Sequence, residues 1–152
     1  MDLIYRHPPS DGELWQGDRY DVEAPTEKPD VVVLMACEYQ PSIEKEGRVR
    51  YVIHSPIDDS LAPDPREVKL AREVAARVAD HVAKGRRVLV TCNMGLNRSG
   101  LVSALALRRL GFGPGRALQC VRKARAEAAK RAGKPCALAN PTFAKLALSR
   151  SG

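Results

Sequence analysis

One stretch, Cys92-Asn93-Met94-Gly95-Leu96-Asn97-Arg98-Ser99, sits directly after an apolar run and directly before a helical pattern, so strand, loop and helix must follow one another there. Arg87-Val88-Leu89-Val90 reads as a short buried strand. Leu101, Val102, Leu105 and Leu110, closed by Gly111, read as a helix packed on its apolar side. A strand–loop–helix junction leaves backbone N–H groups pointing at the mouth of the loop, and the helix dipole adds positive potential. Such a loop can hold a phosphate dianion, and the same field favours the thiolate of a cysteine at the helix N-terminus. Anion cradle and thiolate come from one piece of backbone.

The chemistry gives each residue of the loop a reason. A phosphate monoester repels anionic nucleophiles unless its oxygens are neutralised, which backbone N–H groups and an arginine can do. Arg98 suits that task because its planar fork meets two phosphate oxygens at once, whereas lysine supplies charge without that geometry. Gly95 lets the backbone turn tightly at no Cβ cost. Ser99 can hydrogen-bond the Cys92 sulfur. A leaving alkoxide or phenoxide also needs a proton, so a carboxyl group should reach the site from elsewhere. In Tyr51–Ser60 a β-branched run ends at Pro56, two carboxylates follow (Asp58 and Asp59), and a Pro/Asp-rich loop comes next. Either aspartate could serve on these grounds, and both could be solvated turn residues.

Cys-x5-Arg-Ser after a strand resembles the signature loop of the cysteine-dependent phosphatases. A chain of 152 residues with the cysteine at position 92 is similar to their compact dual-specificity type. The likeness extends over most of the chain, from about Leu14 to Leu148. Glu13-Leu14-Trp15-Gln16-Gly17 resembles that family's first strand, Val49 to Asp59 the strand leading into the general-acid loop, and Asn140-Pro141-Thr142-Phe143 the start of the last helix. The resemblance implies an α/β fold with one central, mostly parallel sheet flanked by helices on both faces. It implies hydrolysis through a phosphocysteine on Cys92, with residues 93–98 (Asn93, Met94, Gly95, Leu96, Asn97 and Arg98) as the phosphate-binding loop. Ser99 would ease thiolate departure. The general acid maps onto Asp59, 33 positions before Cys92, with Asp58 as the alternative. One departure is Thr91, which stands where the family usually has a histidine that braces the loop and helps to hold the thiolate. Met35-Ala36-Cys37-Glu38 is similar to the related tumour-suppressor lipid phosphatases, in which a cysteine at this place can form a disulfide with the nucleophile. Cys37 is thus a candidate redox partner, against the plainer reading of a small buried residue at a strand end.

Expected substrates are phosphotyrosine, phosphoserine and phosphothreonine in proteins. An RNA 5′-triphosphatase is the alternative, because Asn97-Arg98-Ser99-Gly100 is similar to the Asn-Arg-Thr-Gly of that branch, and a nucleic-acid partner belongs only to that reading. A phosphate-binding adaptor without turnover ranks third. Charge is divided unevenly: residues 84–152 hold 15 Lys/Arg against Glu127 alone, a net +14, while residues 1–83 carry −7. A basic half around the loop favours anionic substrates, though for most of these positions solvated helix faces are the reading preferred. No metal or cofactor is expected. No apolar stretch approaches the roughly 20 residues of a membrane span, and residues 1–7 lack the plan of a signal peptide. Four cysteines (37, 92, 120 and 136) without paired spacing suggest a reduced, cytoplasmic setting. A single domain acting as a monomer is expected, with residues 1–12 and 149–152 as loose ends.

The remaining elements follow from pattern. Val31–Met35 and Arg48–Ile53 read as buried strands. Asp64-Pro65-Arg66-Glu67 opens a helix with Val68, Ala71, Val74, Ala75, Val78 and Val82 on one side, ended by Gly85. Gly113-Pro114-Gly115 restarts the chain into a helix carrying Leu118, Val121, Ala124 and Ala128, ended by Gly133. Asn140 and Pro141 start a last short helix with Phe143, Leu146 and Ala147 inward.

Overall fold

The sheet is laid out around its last strand in sequence. In a computed structural model that describes residues 1–36 and 49–149, β1 (Asp2–His7), β2 (Gly12–Gly17), β3 (Val31–Leu34), β4 (Tyr51–His54) and β5 (Arg87–Thr91) form one sheet. Their spatial order is β1-β2-β5-β3-β4. The β1–β2 pair is antiparallel, and β2–β5, β5–β3 and β3–β4 are parallel. Strand β5 therefore lies between β2 and β3, which run on to opposite sides of it. Parallel strands need crossover connections, and the crevice beyond their C-terminal ends is where α/β sheets place ligands. The α/β sheet expected from the sequence is present.

Helices flank both faces unequally. On one face α2 (Pro65–Ala83), α3 (Arg98–Arg109), α4 (Pro114–Ala124), α5 (Ala126–Arg131) and α6 (Pro141–Leu148) pack over Leu14, Val31, Val33, Val88 and Val90. The other face presents Val32, Leu34 and Leu89, which pack with Trp15 and with Val22 of the short helix α1 (Arg19–Glu23). Strand residues alternate between the two faces, so both sides of β3 and β5 are apolar and both must be covered. No helix among the described residues is long and apolar enough to cross a membrane.

Asp64 caps α2 by accepting from the Arg66 N–H at 2.8 Å, with Pro65 in the first turn. The apolar side read from the sequence is buried at Ala71, Val74, Ala75, Val78 and Val82. Asn140 caps α6 in the same way, accepting from the Thr142 and Phe143 N–H groups, with Phe143 and Ala147 buried.

Three expectations change. Residues 2–7, expected to be a loose end, are the edge strand β1, which turns through residues 8–11 into β2. A bulge between Leu3 and Tyr5 breaks the two-residue alternation, and only Ile4 is buried, so the strand lacks the pattern that reveals strands. Asp11 takes the left-handed conformation (φ 60°) that this turn requires. The helix expected between Gly113 and Gly133 is two elements rather than one: α4 and α5 meet at Arg125 (φ −100°, ψ 13°), whose side chain is buried. Strand β4 begins at Tyr51 rather than Arg48 and extends one residue beyond Ile53; position 48 and residues 150–152 lie outside the described residues.

At the opposite end of the sheet from the loop, Glu13 is 5% exposed and accepts from Arg87 and Arg6. Burial alone would raise its pKa, but hydrogen bonds from Arg87, Arg6 and Trp15 prevail and bring it from an ordinary 4.5 to about 2. A depressed folded-state pKa stabilises the fold above the ordinary value and loses that contribution as pH falls towards the folded value. Urea midpoints of the parent should therefore fall steeply between about pH 4.5 and 2. Glu13→Gln should be less stable at neutral pH and flatter across that window. A variant with the parent's acid limb would remove Glu13 as its source.

Candidate active site

The loop after β5 is shaped by what holds its carbonyl oxygens. The Gly95 carbonyl accepts from Gln16 Nε2 (2.8 Å) and Arg125 Nε (3.0 Å). The Asn93 carbonyl accepts from the Arg19 N–H (3.2 Å), and that of Leu96 from the Leu138 N–H (3.2 Å). Every donor comes from outside the loop. Peptide units are planar and, here, all trans, so a carbonyl turned outward turns the next N–H the other way. The N–H groups of Met94, Leu96 and Asn97 thus face away from those donors, which is how a loop becomes an anion cradle.

Gly95 has φ +69°, and a Cβ there would collide with the Gly17 carbonyl and the Arg125 guanidinium. Glycine is required twice over, by conformation and by space. Gln16 and Arg125 were not read as site residues from the sequence, although both left a signal. Gln16 is a polar side chain two positions along the strand from Leu14, at a core position, and it is fully buried. Arg125 falls one turn after Val121 and two after Leu118, on the apolar side of its helix, and is 3% exposed. It also donates to the Gln16 carbonyl and to Asp2, which ties β1 to the loop.

A hollow of about 100 Å³ opens over this loop, lined by Asp59, Cys92, Asn93, Met94, Leu96, Asn97, Arg98, Lys134, Cys136 and Ala139. Cys92 lies at its base, 3% exposed, with Sγ 3.2 Å from Ser99 Oγ. Arg98, 7% exposed, begins α3 and bonds the Ile57 carbonyl through Nη1 at 3.2 Å. Thr91 Oγ1, at the position of the resembling family's histidine, donates to the Val33 carbonyl at 2.8 Å. Its hydroxyl thus fastens β5 to β3 immediately before Cys92. Lys134 and Cys136 enter the hollow from the segment between α5 and α6. Their neighbours Ala137 and Leu138 are held by Arg122, which donates to both carbonyls. Nothing in the sequence distinguished that segment from an ordinary connection. Cys37 lies outside the described residues.

The loop after β4 delivers the carboxylate. Asp59 reaches the hollow, where it accepts from Asn97 Nδ2 (2.8 Å) and Asn140 Nδ2 (2.9 Å). Asp58 is exposed, does not line the hollow, and gives its N–H to Glu67 of α2 at 2.6 Å. Of the two adjacent aspartates, geometry brings only Asp59 together with Cys92 and Arg98. Glu67, the third helical residue of α2, is used by this loop in addition to its place at the helix start.

The fold and the site together define a class. The chain is similar to solved dual-specificity and tyrosine phosphatases. Human DUSP28 superposes with a TM-score of 0.69 at 19% identity, covering 97% of this chain and 95% of that one. Tk-PTP in its active form gives 0.61 at 26% identity, covering 89% and 90%. The human tyrosine phosphatase-like serine/threonine/tyrosine-interacting protein gives 0.68 at 17%, covering 97% and 92%. No family model matches the sequence, and no curated protein matches it. The resemblance drawn from the signature loop is borne out: this chain has the fold of the compact, dual-specificity type of cysteine-dependent phosphatase.

Gly95→Ala tests the cradle. The forced left-handed alanine costs about 1–3 kcal/mol before any collision is counted. We expect a lower unfolding midpoint together with loss of inorganic phosphate binding by calorimetry. A variant that binds phosphate as the parent does would show that this turn does not shape the anion site.

Proposed function

We propose that this protein hydrolyses phosphate monoesters through a covalent phosphocysteine, with phosphorylated tyrosine, serine and threonine side chains of proteins as its substrates. One observation carries the proposal: Cys92, Arg98 and Asp59, drawn from two separate loops, line one hollow of about 100 Å³. A nucleophile, a bidentate cation and a proton donor around an anion-sized space are what a two-step displacement at phosphorus requires.

The roles follow from position. The Cys92 thiolate attacks phosphorus, and the bond from phosphorus to the ester oxygen breaks. Arg98 and the loop N–H groups carry the charge on the phosphoryl oxygens. Asp59, protonated, gives its proton to the departing oxygen. Ionised, it then takes a proton from the water that attacks the phosphocysteine. The sulfur–phosphorus bond breaks, the Ser99 hydroxyl at 3.2 Å stabilises the departing thiolate, and inorganic phosphate is released.

Size and charge support the substrate class. The hollow of about 100 Å³ has room for a phosphoryl group and opens at a rim where the rest of an ester can lie. The half-exposed Met94 stands at that rim, and nothing there requires an aromatic ring. Arg98 within the hollow and Lys134 at its edge favour an anion. Asp59, held over the hollow, favours turnover over an adaptor that only binds.

Steady-state hydrolysis of an aryl phosphate by the parent, Cys92→Ser and Asp59→Asn tests the proposal. Cys92→Ser should be inactive while still binding phosphate, and Asp59→Asn should lose roughly 10²- to 10⁴-fold in kcat. Phosphopeptides carrying each of the three residues should be turned over by the parent. Full activity in Cys92→Ser would contradict the mechanism. Turnover confined to triphosphate-ended RNA, with little effect of Asp59→Asn, would replace the substrate class.

A further inference from the structure

Resting on the reading of Asp59 as the proton donor, we propose that Asn140 is a positioning residue for that donor. Its side-chain amide, together with that of Asn97, fixes the carboxyl group over the phosphate hollow before substrate arrives.

The hydrogen bonds leave each amide one orientation. Asn140 Oδ1 accepts from the Thr142 and Phe143 N–H groups at the start of α6. Its Nδ2 is thereby directed at Asp59 Oδ1 (2.9 Å) and at the Ser60 carbonyl (2.8 Å). Asn97 Oδ1 accepts from the Asn140 N–H (3.1 Å), which directs its Nδ2 at Asp59 Oδ2 (2.8 Å). Turning either amide over would set oxygen against a carboxylate. Each oxygen of Asp59 is thus held by a different asparagine. One immediately precedes Arg98, and the other is 7% exposed at the head of the last helix.

The rest of the loop is pinned residue by residue. The Ile57 carbonyl accepts from Arg98, the Asp58 N–H is held by Glu67, and the Leu61 carbonyl accepts from Thr142 Oγ1 at 2.6 Å. Five consecutive residues, 57 to 61, therefore each bond to a side chain of another element. Proton transfer demands placement within hydrogen-bond reach, and small displacements of a catalytic group cost large factors in rate. A loop fastened in this way keeps its carboxyl group in place without help from substrate.

The experiment separates positioning from mere stability through the leaving group. A proton donor matters most for esters of weakly acidic phenols and least for those whose phenoxide leaves readily. Serine caps a helix about as well as asparagine but has no amide to reach Asp59, so Asn140→Ser removes the positioning contact and keeps the cap. The intact chain is assayed on a series of aryl phosphates from phenyl to dinitrophenyl, as parent, Asn140→Ser, Asp59→Asn and the double variant. Asn140→Ser should lose roughly 10- to 100-fold in kcat on phenyl phosphate and little on dinitrophenyl phosphate. The double variant should be no slower than Asp59→Asn alone. Asn140→Thr likewise keeps the cap and lacks the amide, so it should steepen the dependence too, and it serves if the serine variant does not fold. A uniform loss across the series, or independent losses in the double variant, would overturn the inference. If Asp59→Asn itself shows no leaving-group dependence, the reading of Asp59 fails; if it does and neither Asn140 variant does, only the present inference fails.

Discussion

The geometry of the site depends on one backbone constraint, the outward turn of the Gly95 carbonyl. Two buried donors, Gln16 Nε2 and Arg125 Nε, both bond that oxygen and hold it away from the hollow. A neutral carbonyl that turned inward would present partial negative charge to a phosphate dianion, so the orientation of this peptide decides whether the loop attracts or repels its ligand. The constraint also explains why an arginine is buried in a helix that otherwise faces the core. Leaving a buried guanidinium without partners is costly, and here it is met by two carbonyls and the Asp2 carboxylate.

Two further arginines of the C-terminal half also bond backbone carbonyls. Arg122 donates to the Ala137 and Leu138 carbonyls, and Arg108 to those of Ala147 and Ser149. These side chains complete the hydrogen bonding of backbone carbonyls near α6 and in the segment before it. The positive charge that lines the hollow comes from Arg98 and Lys134. Exposed ion pairs elsewhere, such as Lys84 with Asp80, contribute little to the fold. Net charge alone therefore says little about partners here; the position of each cation says more.

The loop itself was legible in the sequence because covalent order imposes it: strand, cysteine, glycine, arginine and helix are contiguous, and local chemistry accounts for each. Helices α2, α3 and α6 were legible for the same kind of reason, through caps and a sustained apolar side. What could not be read are meetings of distant residues. Asn140 could be read as the start of a helix, but its second bond, to a carboxylate 81 positions earlier, depends on tertiary packing. Lys134 and Cys136 reach the hollow on a segment that Arg122 and the Leu96 carbonyl hold at Ala137 and Leu138. Strand β1 was hidden by its bulge and by an edge position that buries only Ile4, and the break at Arg125 was hidden because no glycine or proline marks it.

Asp59 and Asp58 illustrate how structure decides what pattern leaves open. The two are adjacent, chemically identical and both exposed, yet Asp59 lines the hollow and Asp58 lies beside α2. The most direct test of the central claim is to quench turnover of an aryl phosphate with acid within milliseconds and map the trapped phosphoryl group by mass spectrometry. The account predicts phosphate on the peptide carrying Cys92, and none in Cys92→Ser. Continued turnover with no phosphorylated peptide, or with the label on any other side chain, would contradict it.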